Sequence, residues 1–122
     1  MGKKVVYIHT IGTETPERTA TPFYLAATGA LMDLDVSMIF TMKGTGLLKK
    51  GVAENIYVKE GGVPLSHFIK QAKDAGVKFY VCSASLDLND MKEEDLIPEV
   101  DEVIGGATIN DMAVEADTVL TF

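Results

Sequence analysis

The 122-residue sequence has one cysteine, one arginine and no long apolar run. A single cysteine excludes an internal disulfide, and no cysteines and histidines cluster with the spacing of a metal site. No apolar run approaches the ~18 residues of a membrane span, and no secretory signal precedes the first strand. We therefore expect a cytoplasmic protein without a bound metal or a membrane anchor.

The chain has more acidic than basic residues, which bears on the partners we expect for it. The formal net charge is -7 at pH 7. Attraction to the phosphate backbone, which supplies most non-specific affinity for nucleic acids, therefore works against binding, and nucleic acid is not an expected partner. A composition of 47% hydrophobic and 24% charged residues is typical of a globular protein with a proper core. We expect a single domain over residues 1–122.

Strand patterns and helix patterns alternate along the chain. Continuous apolar runs predict strands at 5–8, 36–41, 77–82 and 118–122, with a weaker strand at 54–58. Helical spacing and proline positions predict helices from Thr21 to near Asp33, from Pro64 to Ala75 and from about Asn110 to Ala116. This alternation favours an α/β fold with a mainly parallel sheet of about five strands, covered by helices on both faces.

Three loops follow strands and are expected at the edge of the sheet where ligands bind in such folds. They span 9–18, 41–46 and 82–85. The third loop begins with Cys82, and the hydroxyls of Ser83 and Ser85 suit the start of a helix. Cys82 is the main candidate for chemistry because a thiolate is a strong nucleophile. The alternative is that Cys82 is a small buried hydrophobic side chain.

The two histidines receive different expectations. Side-chain alternation places His9 on the same side of the sheet as Val5 and Tyr7. There it is either a proton relay to Cys82 or a structural histidine that is hydrogen-bonded to a loop carbonyl. His67 is expected to face solvent and receives no role.

Two further features lie in the expected edge loops. Arg18 suits the binding of a small anion such as a thiosulfonate, and its alternative is a surface ion pair with Glu14 or Glu17. The segment of Gly44, Thr45 and Gly46 lacks the ending of a phosphate-binding loop and is expected to form the wall of a pocket. No motif in the sequence indicates a cofactor.

Several segments, taken in order, carry a family resemblance. They are 16–20 followed by Pro22-Phe23, 46–51, 76–82, 94–97 and 115–122. With these segments, the sequence from Lys3 to Phe122 resembles the DsrE/DsrF/TusD family of sulfur-relay proteins. The resemblance implies a three-layer α/β/α fold, homo- or hetero-oligomers, and a cysteine at the position of Cys82 that carries sulfur as a persulfide. Some members of that family lack the cysteine. Asp87 and Asp90 depart from the basic or glycine-rich turn that many relatives have after it.

The sequence therefore predicts an intracellular sulfur carrier. Cys82 would hold sulfane sulfur as a persulfide or thiosulfonate and pass it to a partner thiol, such as that of a small TusA-type carrier protein. The alternative is a non-catalytic ligand-binding module or assembly subunit with an inert Cys82. Whether the chain turns over as a sulfurtransferase stays open. We also expect a homo-oligomer, a dimer, trimer or hexamer, whose interface lies near the carboxyl edge of the sheet and partly shields Cys82. Adaptable apolar surface for that interface is expected from Met32, Met38, Met42, Met91 and Met112.

Overall fold

The computed structural model describes residues 2–122 and shows one five-stranded sheet. The strands are β1 (Lys4–His9), β2 (Asp35–Phe40), β3 (Lys78–Cys82), β4 (Glu102–Ile104) and β5 (Thr118–Thr121). Their spatial order is β4-β3-β2-β1-β5, and every pairing is parallel. The predicted α/β fold with a parallel sheet is confirmed, and all carboxyl ends of the strands lie at one edge.

Four α-helices surround the sheet: α1 (Ala20–Leu31), α2 (Leu65–Asp74), α3 (Ser83–Leu88) and α4 (Gly106–Glu115). Helices α1 and α2 pack on one face, whose side chains form the larger core with Phe23, Phe40 and Phe79 at its centre. Among the described residues 2–122, helix α4 covers the other face, where Val6, Ile39 and Ile104 are buried. The result is a three-layer α/β/α arrangement with one heavily and one lightly covered face.

The strand predicted at 54–58 is wrong. The chain forms a 3₁₀ helix at Ala53–Asn55, and only an isolated antiparallel bridge joins Tyr57 to Pro64. Ala53 and Ile56 are buried, and the Ile56 carbonyl accepts the backbone N–H of Leu65 at the start of α2. This segment therefore covers the end of a helix, and the fifth strand of the sheet is β4 instead.

The boundaries of the three predicted helices differ from the observed ones by one to four residues. Helix α1 begins one residue before Thr21 and ends two residues before Asp33, which has a positive φ of 66°. Helix α4 begins at Gly106, four residues before Asn110, because Gly105 adopts an extended N-cap conformation. The predicted loop at 41–46 contains most of a 3₁₀ helix, Met42–Leu48. Within residues 2–122, no helix is both long and apolar enough to cross a membrane.

Candidate functional site at the carboxyl edge of β3

Cys82 is the last residue of β3 and the N-cap residue of α3. Its thiol is free and half-buried. Alternation along β3 places Cys82 on the same face as Lys78 and Tyr80, which is the face covered by α4. Its partner in β4 is Ile104, and α4 begins two residues after Ile104. Two helices, α3 and α4, therefore begin beside the cysteine.

A buried hydroxyl fixes the backbone of Cys82. Ser85 Oγ donates a hydrogen bond to the Cys82 carbonyl oxygen at 2.6 Å. The same Oγ lies 2.5 Å from Thr45 Oγ1. Because Ser85 has one hydroxyl proton and donates it to Cys82, the hydroxyl of Thr45 donates to Ser85. Both hydroxyls are buried, so this pair ties the start of α3 to the 3₁₀ helix Met42–Leu48.

Asn89 strengthens the same connection and was not predicted. Its side-chain amide donates to the carbonyl oxygens of Ser85, at 2.6 Å, and of Met42, at 2.8 Å. Asn89 follows α3 directly as its C-cap residue. The only signal in the sequence was an asparagine at the end of a short helix, a position where its amide can bind backbone groups.

Gly44 packs against the end of β1. A Cβ atom at this position would lie 2.4 Å from the His9 carbonyl oxygen, so no larger residue fits without a backbone shift. Gly46 has more room, since its Cβ would meet only Asn89 Oδ1 at 3.4 Å. Gly44 and Thr45 are buried, and Gly44, Thr45 and Gly46 line none of the four cavities described for residues 2–122.

His9 lies on the opposite face of the sheet from Cys82. It is fully buried between Phe23 and Phe40, on the face of Val5 and Tyr7 as alternation predicted. Strand β2 separates β1 from β3, which sets the two backbones about 10 Å apart. The structure does not bring the imidazole to the thiol.

The imidazole of His9 has a structural hydrogen bond. Its Nε2–H donates to the Ile11 carbonyl oxygen at 2.8 Å, whereas the buried Nδ1 has no partner among the described residues. Burial lowers the pKa of His9 from 6.5 to about 4, and the hydrogen bond to Ile11 opposes this shift only in part. His9 is therefore neutral near pH 7. His67 is exposed, as expected.

Arg18 lies near β1 and β5, whereas Cys82 lies on β3 beside β4. It ends a 3₁₀ turn, Pro16–Arg18, and lines a cavity of about 250 Å³ with Ile11, Thr21 and Phe122. No residue of β3 or α3 lines this cavity. Among residues 2–122, no ion pair includes Arg18, and Glu14 instead accepts the backbone N–H of Gly12. The surface ion pair considered for Arg18 is therefore not formed.

Ser83 is the first residue of α3, and its side chain is exposed beside Cys82. Asp87 and Asp90 are also exposed. Across residues 2–122, no three side chains among histidine, cysteine, aspartate and glutamate are grouped to hold a metal ion. The structure thus gathers Cys82, Ser83, Ser85 and Thr45 at one site and leaves His9 and Arg18 elsewhere.

Known structures share this architecture. The YchN protein of E. coli aligns with a TM-score of 0.79 at 18% identity, with 100% of each chain covered. A protein of unknown function from Bacteroides thetaiotaomicron, BT1422, aligns at 0.73 with 9% identity, covering 98% of this chain and 95% of its own. MTH1491 of Methanobacterium thermoautotrophicum, also of unknown function, aligns at 0.65 with 17% identity and full coverage of both chains.

At these identities the structural likeness establishes the fold alone. A search of curated proteins finds no match. The family is established by the sequence, because the model of the DsrE/DsrF-like family matches residues 3–122. That match spans every strand and helix described above and includes Cys82. The chain is therefore a member of the DsrE/DsrF-like family.

Proposed function

We propose that this protein is a sulfur carrier in which Cys82 accepts sulfane sulfur, holds it as a persulfide or thiosulfonate, and passes it to a partner thiol. The observation that carries the proposal is the free, half-buried thiol at the carboxyl end of β3 in a chain of the DsrE/DsrF-like family. This family is commonly associated with sulfur relay. In parallel α/β sheets, chemistry gathers at this edge.

The surroundings of Cys82 suit an anionic sulfur group. The first turns of α3 and α4 begin beside it, and backbone amides at helix N-termini favour negative charge. The hydroxyl of Ser85 fixes the Cys82 carbonyl, which holds the residue at the junction of strand and helix. A reducing cytoplasm, where a lone thiol stays reduced, is the compartment in which we expect this chemistry.

The transfer can be written as two thiol exchanges. The Cys82 thiolate attacks the outer sulfur of a persulfide donor, R–S–SH, and the donor's S–S bond breaks as a new bond forms to Cys82. The donor leaves as the thiol R–SH, and Cys82 becomes a persulfide. A thiolate of a small TusA-type carrier then attacks the outer sulfur, takes it, and restores the Cys82 thiol. Neither step needs an external oxidant or reductant.

Intact-mass spectrometry after incubation with thiosulfate, tetrathionate or a persulfide donor tests the proposal. We expect an added sulfur species on the wild-type protein and none on Cys82→Ala. A wild-type protein that stays unmodified with every donor would contradict the proposal.

Thiol titration with DTNB separates the sulfur carrier from a ligand-binding module or assembly subunit with an inert cysteine. A carrier thiol reacts in the native protein, whereas an inert core thiol reacts only after unfolding. The half-burial of Cys82 favours reaction in the native state. A Cys82 that reacts only in denaturant would support the assembly subunit instead.

A further inference from the structure

A cavity of about 400 Å³ opens between α4 and the sheet on the face that carries Cys82. Tyr80 and Ile104 line one end of it. Cys82 follows Tyr80 by two residues on the same face, about 6.6 Å along the strand, and is the pairing partner of Ile104. The cavity therefore reaches the direct neighbours of the thiol. Its volume falls within the range of small-molecule sites.

The other end of the cavity has unpaired charges of both signs. Lys78 and Asp35 line it, whereas Glu102, which pairs with Tyr80, lines the cavity nearer the thiol. Among residues 2–122, none of these three side chains belongs to an ion pair. The lysine can bind a carboxylate of a ligand, and the two protein carboxylates can bind an ammonium group of the same ligand.

Tyr80 lies between the charged end and the thiol. Its pKa is raised, first by burial and then by the negative charges of Asp101, Glu102 and Asp35. Negative charge therefore converges on the wall of the cavity, which favours a cationic group of a ligand there. The apolar side chains of Val6, Ile104 and Met112 complete the wall and suit an uncharged stem.

We propose that this cavity binds the sulfur donor, a zwitterionic persulfide of the size of a short thiol peptide, with its charged groups at Lys78, Asp35 and Glu102 and its sulfur towards Cys82. The inference rests on the proposed function and names its substrate class. From Lys78 to Cys82 the strand spans about 13 Å. An extended tripeptide spans about 10 Å, so a donor of this length reaches the charged end only with the added length of the Lys78 side chain and of its own persulfide group.

The reaction at the cavity is the thiol exchange of the proposed function, with the peptide thiol as the leaving group. The Cys82 thiolate bonds to the outer sulfur of the peptide persulfide, the peptide's S–S bond breaks, and the peptide leaves as a thiol. An inorganic polysulfide reacts at Cys82 in the same way but has no groups for the charged end. The cavity therefore discriminates between donors without changing the chemistry of the thiol.

Loading rates measured with glutathione persulfide and with its diethyl ester test the charged end. Esterification removes the carboxylates and keeps the peptide length. We expect the free acid to load Cys82 about three- to tenfold faster, because one charge-assisted contact at a partly exposed site has about that effect. Lys78→Gln should remove this preference for the free acid. Lys70→Gln is the matched control, since Lys70 lies on α2 and pairs with Asp74 outside the cavity.

A measurement of peptide binding tests the cavity separately from sulfur transfer. In the Cys82→Ala protein, reduced glutathione should shift the amide NMR signals of Tyr80, Ile104 and Thr108, which all line the cavity. Shifts confined to other residues, or equal loading by acid and ester, would overturn the inference, while loading by polysulfide would still support the proposed function. If no donor loads Cys82, the proposed function fails and the NMR result alone decides whether the cavity binds thiol peptides.

Discussion

At the scale of single residues, the face of the sheet on which a side chain lies decides what it can do. His9 and Cys82 both end strands at the same edge, yet alternation and register place them on opposite faces. Ser85 binds the backbone carbonyl of Cys82, Thr45 binds Ser85, and the first turns of two helices begin beside the cysteine. The site around Cys82 therefore contains hydroxyls and backbone amides, and the imidazole of His9 is not part of it.

His9 should instead make the stability of the protein depend on pH. Its pKa is about 4 in the folded protein because of burial and 6.5 when unfolded, so between these values the unfolded chain binds more protons. We expect the free energy of unfolding of the wild type to fall as the pH is lowered from 6.5 towards 4, by a total of about 3 kcal/mol. Urea denaturation across this range measures the effect.

His9→Gln is the comparison for that measurement, because a glutamine does not titrate. Its curve should be flatter than that of the wild type between pH 6.5 and 4, whatever its absolute stability. Asp101 titrates lower: burial raises its pKa, but hydrogen bonds from Lys73 and the Phe79 N–H outweigh this and lower it overall. The stability that Asp101 contributes is lost only at more acidic pH, both in the wild type and in His9→Gln. Parallel curves above pH 4 would contradict the role given to His9.

Sequence patterns predicted the placement of single residues where the pattern was local. Alternation along β1 gave the face of His9, and the end of an apolar run gave the position of Cys82. The contact of Thr45 with Ser85 could not be predicted, because the two residues are 40 positions apart and meet only when β2 pairs with β3. The charged end of the cavity was missed for the same reason.

At the scale of elements, the strands with continuous apolar runs were predicted well and the short ones were not. The segment 54–58 has apolar residues like a strand, but Ile56 is buried in a connection beside α2. Strand β4 has only three residues, of which Ile104 alone is buried, so its pattern is weak. The start of α4 was predicted too late because Gly105 and Gly106 lie there, and glycine disfavours a helix. Tertiary contacts decided the first two of these cases.

The first turn of α3 should control the reactivity of Cys82. Ser83 is exposed and adjacent to the cysteine, so Ser83→Asp adds a negative charge beside the thiol, whereas Ser83→Asn adds nearly the same volume without charge. We expect Ser83→Asp to slow alkylation of Cys82 by iodoacetamide about three- to tenfold relative to Ser83→Asn, because the added charge disfavours the thiolate. Higher salt should reduce the difference. Equal rates for the two variants would show that charge at this turn does not reach the thiol.

At the scale of the whole molecule, the apolar side chains left exposed indicate where another subunit could bind. Members of the family are often oligomeric. Of the five methionines that were expected to add apolar surface, Met38 and Met91 are buried, Met112 is half-buried, and Met32 and Met42 are exposed. Met42 and Leu88, which are 58% and 54% exposed, lie at the carboxyl edge on the two helices that Asn89 links.

We therefore predict a homo-oligomer whose interface includes Met42 and Leu88 and partly shields Cys82. Light scattering at micromolar concentration should give a multiple of the 13.2 kDa chain for the wild type. Leu88→Glu should shift the mass towards one chain and speed alkylation of Cys82, because a charge in an apolar interface is costly to bury. Leu31→Glu is the matched control, since Leu31 is 75% exposed but ends α1, which runs back from the carboxyl edge. A wild-type mass near 13.2 kDa would refute the assembly, and dissociation by Leu31→Glu alone would place the interface at the opposite edge.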